Sequence, residues 1–334
     1  FEDGSVSLIN IVMTPKGIHP SFCNYLLKST AFVEENYRIG HGIVADLWTT
    51  RYDEMKNIKV AIPTPSEQTA IANFLDDKTT KIDRAIAQKE QLIALLKERK
   101  QIIIQNAVTK GLDPKVKMKD SGVEWIGEIP EHWEVVKFKF LIRTKARLGW
   151  KGLKADEYFE HSPFGFLSTP NIKNDEIAFE DAYYITEFRY EESPEIMLEE
   201  GDVLLVKDGS TLGISNLVTS LPFKCTVNSS IAVLRIMNKK RLLPSYLNLF
   251  LKSETCQSLI EKKKDGMGVP HLFQRDINNF SVPVFDTYEQ HKIVQFIKVK
   301  SIKIDQAITL QKNQIEKLKE YKASLIDSAV TGKI

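Results

Sequence analysis

The sequence predicts an α+β protein, in which a β-rich core is joined to two long helices that pair antiparallel as a coiled coil in a pseudo-twofold arrangement. Three observations predict it. A segment of long-helix character occurs twice. Both copies carry apolar residues at heptad spacing. The stretch between them is rich in short β-branched and aromatic runs broken by turn residues.

The repeat is measurable. "TKIDRAIAQKE" at 80–90 is echoed by "IKIDQAITLQK" at 302–312. With Glu67 set against Glu289 and the offset held at 222, residues 67–109 pair without a gap, and 19 of 43 positions are identical. The likeness extends upstream. "HPSFCNYLLKS" (19–29) matches "LPSYLNLFLKS" (243–253) at an offset of 224, and "NIKVAIP" (57–63) matches "NFSVPVF" (279–285) at 222 again. A unit of roughly 90 residues is too long for a solenoid repeat and reads as a duplicated half-protein.

Within the copies, Ile82, Ile86, Lys89, Ile93, Leu96, Lys100, Ile103 and Ala107 fall at alternating steps of four and three. Ile304, Ile308, Gln311, Ile315, Leu318, Lys322, Leu325 and Ala329 do the same. Both are a/d seams, broken by polar residues at matching places, which lowers stability but fixes register. The helix-pair residues are Ile82, Ile86, Ile93 and Leu96 with Ile304, Ile308, Ile315 and Leu318. A twofold relation between two such helices makes them antiparallel, because the axis lies across them. The alternative is that each is an ordinary amphipathic helix on its own domain. A shorter helix is expected before each long one: "SEQTAIANFLDDK" after Pro65, with Ser66 as N-cap, and "YEQHKIVQFIKVK" after Thr287. Gly111 and Gly332 stand where C-cap glycines belong.

Residues 112–135, crowded with Pro, Gly and Asp, read as a linker and domain entry. "KFKFLIRTKARLGWKGLK" (137–154) then holds seven basic residues and no acid, with Phe138, Phe140 and Trp150 interleaved. Lysine and arginine beside glycines suit phosphate contacts, and arginine also pairs two-pronged with guanine. From 155 to 236 the pattern is β-rich, in "AFEDAYYITEF", "GDVLLVKDG" and "SSIAVLRIM". "VKDGSTLG" (206–213) is a tight loop whose backbone N–H groups could hold phosphate, although it is no Walker loop. A helix follows in "LLPSYLNLFLKSETCQSLIEKKKD", with Leu243, Leu247, Phe250 and Leu251 on one side. His271, Gln274 and Arg275 beyond it are within reach of a groove or are plain loop residues.

Several function classes are excluded. The net charge is only +2, so any nucleic-acid footprint must be local. The three cysteines lack CxxC spacing and read as reduced thiols of a cytosolic protein. There is no apolar run long enough to span a membrane. HExxH, GxSxG, GxGxxG and adenine-methyltransferase tetrapeptides are missing, and the six histidines are scattered, so no catalytic set and no metal site is read. A chain of 334 residues with no catalytic constellation reads as a recognition or assembly subunit rather than an enzyme.

The chain resembles the specificity subunit of type I restriction-modification systems. The carrying stretches are "DSGVEWIGEIPEHWEVVKF" (120–138), "FLSTPNIKNDEI" (166–177), "EGDVLLVKDGSTLG" (200–213) and the twice-used "KID.AI", "LKE" and "AVT" words. The resemblance implies target recognition domains alternating with conserved helices. On that plan 1–63 is the C-terminal stub of a first recognition domain, since "FEDGSVSLIN" reads like the middle of a domain. Residues 64–111 are the first helical region, 112–285 the second recognition domain and 286–334 the second helical region. The resemblance also implies a non-catalytic subunit with no cofactor of its own. It would read half of a bipartite site in double-stranded DNA and bind two modification (methyltransferase) subunits that use S-adenosylmethionine. Restriction subunits using ATP and magnesium would join them in the cytoplasm, and truncated chains would be able to self-pair. A coiled-coil interaction scaffold without DNA is the alternative. Candidate DNA-contacting residues are Arg143, Lys145, Arg147, Lys151 and Lys154, the loop Lys207, Ser210 and Thr211, and Asn171, Lys173 and Asn228, asparagine being suited to the N6/N7 edge of adenine.

Overall fold

The computed structural model describes residues 12–41, 49–146, 153, 157–264 and 270–334. The fold is α+β. Helices α1 (Pro20–Lys28), α2 (Thr30–Arg38), α3 (Tyr52–Met55) and α4 (Pro65–Lys110) come first. Strands β1 (Met118–Asp120), β2 (Glu128–Pro130), β3 (Glu134–Lys137), β4 (Ile142–Lys145), β5 (Phe164–Leu167) and β6 (Tyr183–Tyr184) lead to α5 (Glu187–Glu191). Then come β7 (Val203–Val206), β8 (Ser215–Leu217), β9 (Lys224–Val227) and β10 (Ile231–Ile236), and after them α6 (Pro244–Leu251), α7 (Glu254–Lys263), α8 (Gln274–Asn279), β11 (Ser281–Val284) and α9 (Thr287–Val330). The chain divides into two compact units, 1–96 with 305–334, and 97–304.

The expected pairs of short and long helices are instead single helices of 46 and 44 residues. Neither "FLDDKTTKID" nor "FIKVKSIKID" contains proline or glycine, so nothing interrupts the backbone ladder. The start of α4 also differs from the expectation. Thr64, not Ser66, closes a capping box. The Thr64 N–H donates to Glu67 Oε2 at 2.8 Å and the Glu67 N–H reaches Thr64 Oγ1 at 3.4 Å, with Pro65 in the first helical position. Asp286 does the same work for α9, accepting the N–H groups of Tyr288 and Glu289 at 2.9 and 3.3 Å. Gly111 and Gly332 follow the two helices with φ of 75° and 72°, the left-handed cap that only glycine adopts freely.

In the first unit α1 packs on helix ends. Phe22, Tyr25 and Leu26 share a core with Ala72 and Leu75 of α4 and with Ile326, Ala329 and Val330 of α9. Here the two long helices run antiparallel. Asp83 takes the Lys322 ammonium at 2.6 Å, while Lys89 reaches Gln311 and Gln314 at 3.2 and 2.5 Å, so the sequence rises along one helix and falls along the other. The polar breaks in the seams thus find polar partners. Of the seam residues, Ile82, Ile304, Ile308 and Ile315 are buried, and Ile86, Ile93, Leu96 and Leu318 are half-buried.

The second unit repeats this core with the copies exchanged. Ile293 and Ile297 of α9 join Ile104, Ala107 and Val108 of α4 around Tyr246, Leu247 and Phe250 of α6. Hydrogen bonds repeat as well. Gln68 accepts the His19 N–H at 2.7 Å and donates to the Pro63 carbonyl at 2.8 Å; Gln290 accepts the Leu243 N–H at 2.9 Å and donates to the Phe285 carbonyl at 2.8 Å. Ser29 and Ser253 each cap the following helix at 3.3 Å and each return a bond to the preceding one at 2.6 Å. That serine cap breaks the single helix expected over 242–265 into α6 and α7.

The second unit also holds the β-structure. A four-stranded sheet has the order β4-β10-β7-β8, and a three-stranded sheet the order β6-β5-β9. The runs "VLLV" and "IAVL" are buried on both faces. Val203, Leu205, Ala232 and Leu234 face the helical core, while Leu204, Val206, Ile231 and Val233 face a second core with Leu167, Ile196, Val218 and Val227. Two readings of the sequence are corrected. The supposed linker 112–135 contains β1, β2 and the start of β3, and it inserts Trp133, fully buried and stacked on Phe285 at 3.7 Å. "AFEDAYYITEF" supplies only the two-residue strand β6, between a short 3-10 turn and α5.

Candidate nucleic-acid interface

Strand polarity gathers several candidates at one end of the four-stranded sheet. Lys145 closes β4 opposite Val233, near the start of β10, and Val206 closes β7 opposite Ile231. The loop 207–213 therefore leaves the sheet where the turn 228–230 enters it. The Lys207 N–H donates to the Ser230 carbonyl at 2.8 Å, and Asn228 Oδ1 accepts the Ser230 N–H at 3.1 Å. The Asn228 N–H bonds the Leu167 carbonyl at 2.9 Å, which brings the end of β5 to the same place. A third segment arrives from 270–275. Leu272 donates to the Lys207 carbonyl at 2.8 Å, Gly209 to the Pro270 carbonyl at 3.0 Å, and Gln274 Nε2 to the Thr144 carbonyl at 2.7 Å.

The structure thus brings together Lys145, Lys207, Ser210, Thr211 and Asn228. Ser210 is exposed, and Lys145, Thr211 and Asn228 are half-buried. Arg143 lies two residues back on the same face of β4 as Lys145 and is exposed. Arg147, Lys151 and Lys154 lie outside the described residues.

Two candidates have other duties. Asn171 is buried, and both ends of its amide serve the local turn. Its Oδ1 accepts the Ser168 N–H and hydroxyl at 2.8 and 3.0 Å, while its Nδ2 donates to the carbonyls of Ala178 and Asp181 at 3.2 and 2.9 Å. That leaves it nothing to offer a base edge. Lys173 is exposed but sits beside β8, where its carbonyl receives Asn216 Nδ2 at 3.0 Å, and its ammonium lies 3.5 Å from both Glu176 and Asp181.

The loop 207–213 is less phosphate-like than its letters. The N–H groups of Lys207, Gly209, Leu212 and Gly213 all donate within the protein. The Lys207 side chain is 12% exposed and pairs with Asp208 at 2.8 Å, while the other Asp208 oxygen contacts His271 Nδ1. Asp208 thus puts a matched negative charge inside the loop read as phosphate-binding. Next to it stands an arrangement that the loop reading of 271–275 did not develop. The His271 ring meets Phe273 edge-on at 4.5 Å, and the Arg275 guanidinium lies over Phe273 at 4.9 Å. No group of three or more His, Cys, Asp or Glu among the described residues could hold a metal ion.

Residues 130–320 match the family model described as the type I restriction modification DNA specificity domain, which is more than half of the chain. The chain belongs to the type I restriction modification DNA specificity domain family. Among curated relatives, it is 25% identical over 288 residues to the type I restriction enzyme MjaVIII specificity subunit of Methanocaldococcus jannaschii, covering 84% of this chain and 63% of the relative. It is 22% identical over 292 residues to the EcoBI specificity subunit of Escherichia coli, covering 84% of this chain and 59% of that one. The chain therefore spans about three fifths of the length of these relatives. The fold is similar to that of a solved chain described under complex assembly and conformational transition of the type I R-M system, at TM-score 0.71 and 13% identity, covering 94% of this chain and 71% of that one. The HsdS subunit from Thermoanaerobacter tengcongensis follows at TM-score 0.52 and 14% identity, with the same coverage. The specificity-subunit resemblance read from the sequence is borne out. No helix among the described residues is long and apolar enough to cross a membrane.

Proposed function

We propose that this chain reads one half of a bipartite site in double-stranded DNA for a type I restriction-modification complex and contributes no catalysis itself. The observation that carries the reading is the specificity-domain match across 130–320, which includes the sheet end where Lys145, Lys207, Ser210, Thr211 and Asn228 converge. The domain plan is 1–63, 64–111, 112–285 and 286–334, with the second recognition domain in 112–285 doing the reading. Two modification subunits would supply the S-adenosylmethionine chemistry, and restriction subunits would supply the ATP and magnesium chemistry.

The two copies of the repeat suit a pseudo-twofold scaffold. Lys89 bonds Gln311, its own counterpart at an offset of 222, and a residue that meets its repeat mate lies beside the axis relating the copies. The matched Gln68 and Gln290 bonds support the same relation. Helices so related would set the spacing between two half-sites.

The test is co-expression with a modification subunit, followed by light scattering and selection from random duplexes at moderate salt. Two modification subunits per chain and an enriched sequence are the expected result. A complex of the expected mass that enriches no sequence would overturn DNA reading. Enrichment without a stable complex would overturn the scaffold.

A further inference from the structure

We propose that Arg275, whose guanidinium lies over the Phe273 ring at 4.9 Å, is a guanine-reading side chain of this chain, and that Phe273, His271 and Asp208 act as its positioning residues. The inference deepens the DNA-reading proposal above and rests on it.

Four observations carry it. Arg275 is placed with the other candidates, because its neighbour Gln274 bonds the Thr144 carbonyl between Arg143 and Lys145, while Leu272 bonds Lys207. Its side chain is 78% exposed, and its ion contact among the described residues is a single nitrogen 3.8 Å from Asp276. A two-pronged carboxylate bond, which would occupy the fork, is therefore not what holds it. The ring beneath it is held in turn. Phe273 meets His271 edge-on at 4.5 Å, and His271 Nδ1 contacts Asp208, whose second oxygen holds Lys207 at 2.8 Å. Finally, Asn279 Nδ2 bonds the Arg275 carbonyl at 2.9 Å, which fixes the backbone that carries the side chain.

The chemistry separates a base reader from a phosphate clamp. A phosphate is satisfied by a cation in almost any orientation, and Arg143 and Lys145 supply that nearby. Guanine O6 and N7 take two donors side by side, a pattern that the rigid planar fork of a guanidinium matches better than a rotating ammonium. A guanidinium held over an aromatic ring is restricted before it docks, so less freedom is lost when it does. Lysine has no such fork, and alanine has no charge.

The experiment uses the complex with the modification subunit and compares selected duplexes for the parent, Arg275→Lys and Phe273→Leu. For Arg275→Lys, the expected result is loss of guanine preference at one position, by on the order of ten- to a hundred-fold, with other positions kept. Affinity for random duplex and its salt dependence should stay within about twofold, because the charge remains. Phe273→Leu should give a smaller loss at the same position. A uniform loss across all sequences, or an unchanged consensus, would overturn the assignment. If the parent itself enriches no sequence, the DNA-reading proposal fails and this one with it. A failure seen only in the variants falls on Arg275 alone.

Discussion

Tyr246 shows how one hydroxyl can close a helix. It is fully buried, and it donates to the Val108 carbonyl at 3.0 Å, among the last four carbonyls of α4, which have no partner within their own helix. Burial, and secondarily the Glu289 charge, push the phenol well above its ordinary range, so it remains a donor at any working pH. Its counterpart at an offset of 224 is Phe22, which has no hydroxyl to offer Val330. Tyr246→Phe should therefore lower stability by about 1–3 kcal/mol, because a buried acceptor loses its donor. The intrinsic fluorescence of Trp133, in the same core, would report it in a urea titration. An unchanged midpoint would mean that another group takes up the carbonyl. The cysteines give a second residue-scale expectation. Burial pushes the Cys225 thiol up to about 12 and raises Cys256 as well, while Cys23 is only half-buried. An aromatic disulfide reagent at neutral pH should titrate Cys23 first, and all three thiols only in denaturant. Rapid native reaction of Cys225 or Cys256 would contradict the packing around them.

At the scale of elements, the start of α4 couples stability to pH. The hydroxyl and then the N–H of Thr64 donate to Glu67 and hold its carboxyl below the usual carboxylate range. A carboxylate whose folded pKa is depressed adds stability above its unfolded pKa, near about 4.3, and loses it as pH falls through the folded value. Glu67→Gln should therefore narrow the gap between urea midpoints at pH 7 and pH 3. A gap of the same width as the parent's would remove Glu67 from the acid response. The elements also show what a sequence reveals. The long helices were legible because their seams repeat at the same offset, and the doubly buried strands because "VLLV" and "IAVL" are unbroken β-formers. The strands of 118–137 were not, because they are three or four residues long, between turns, and their burial depends on Phe285 and Glu289, about 150 positions away. The Asp208–His271 contact is likewise a tertiary fact that no local pattern encodes.

For the whole molecule, a net charge of +2 makes affinity for nucleic acid a question of where cations stand free, not how many there are. The structure ranks them. Arg143 is exposed at the sheet end and Lys145 half-exposed beside it, whereas Lys207 is mostly covered and neutralised by Asp208. Each phosphate neutralised by a cation releases counterions and steepens the fall of log K with log salt by about 0.9. Replacing Arg143 and Lys145 with alanine should flatten that slope by about 1.8 and weaken all duplexes alike, leaving the selected sequence unchanged. Lys207→Ala should leave the slope almost where it was, since its charge is already matched within the protein. Titrating random duplex from 50 to 200 mM salt, as fluorescence anisotropy of the parent and the two variants in complex with the modification subunit, separates these cases. A slope that falls with Lys207→Ala and stays with the double variant would place the phosphate track on the loop rather than on β4. The free end of the sheet would then be the wrong surface.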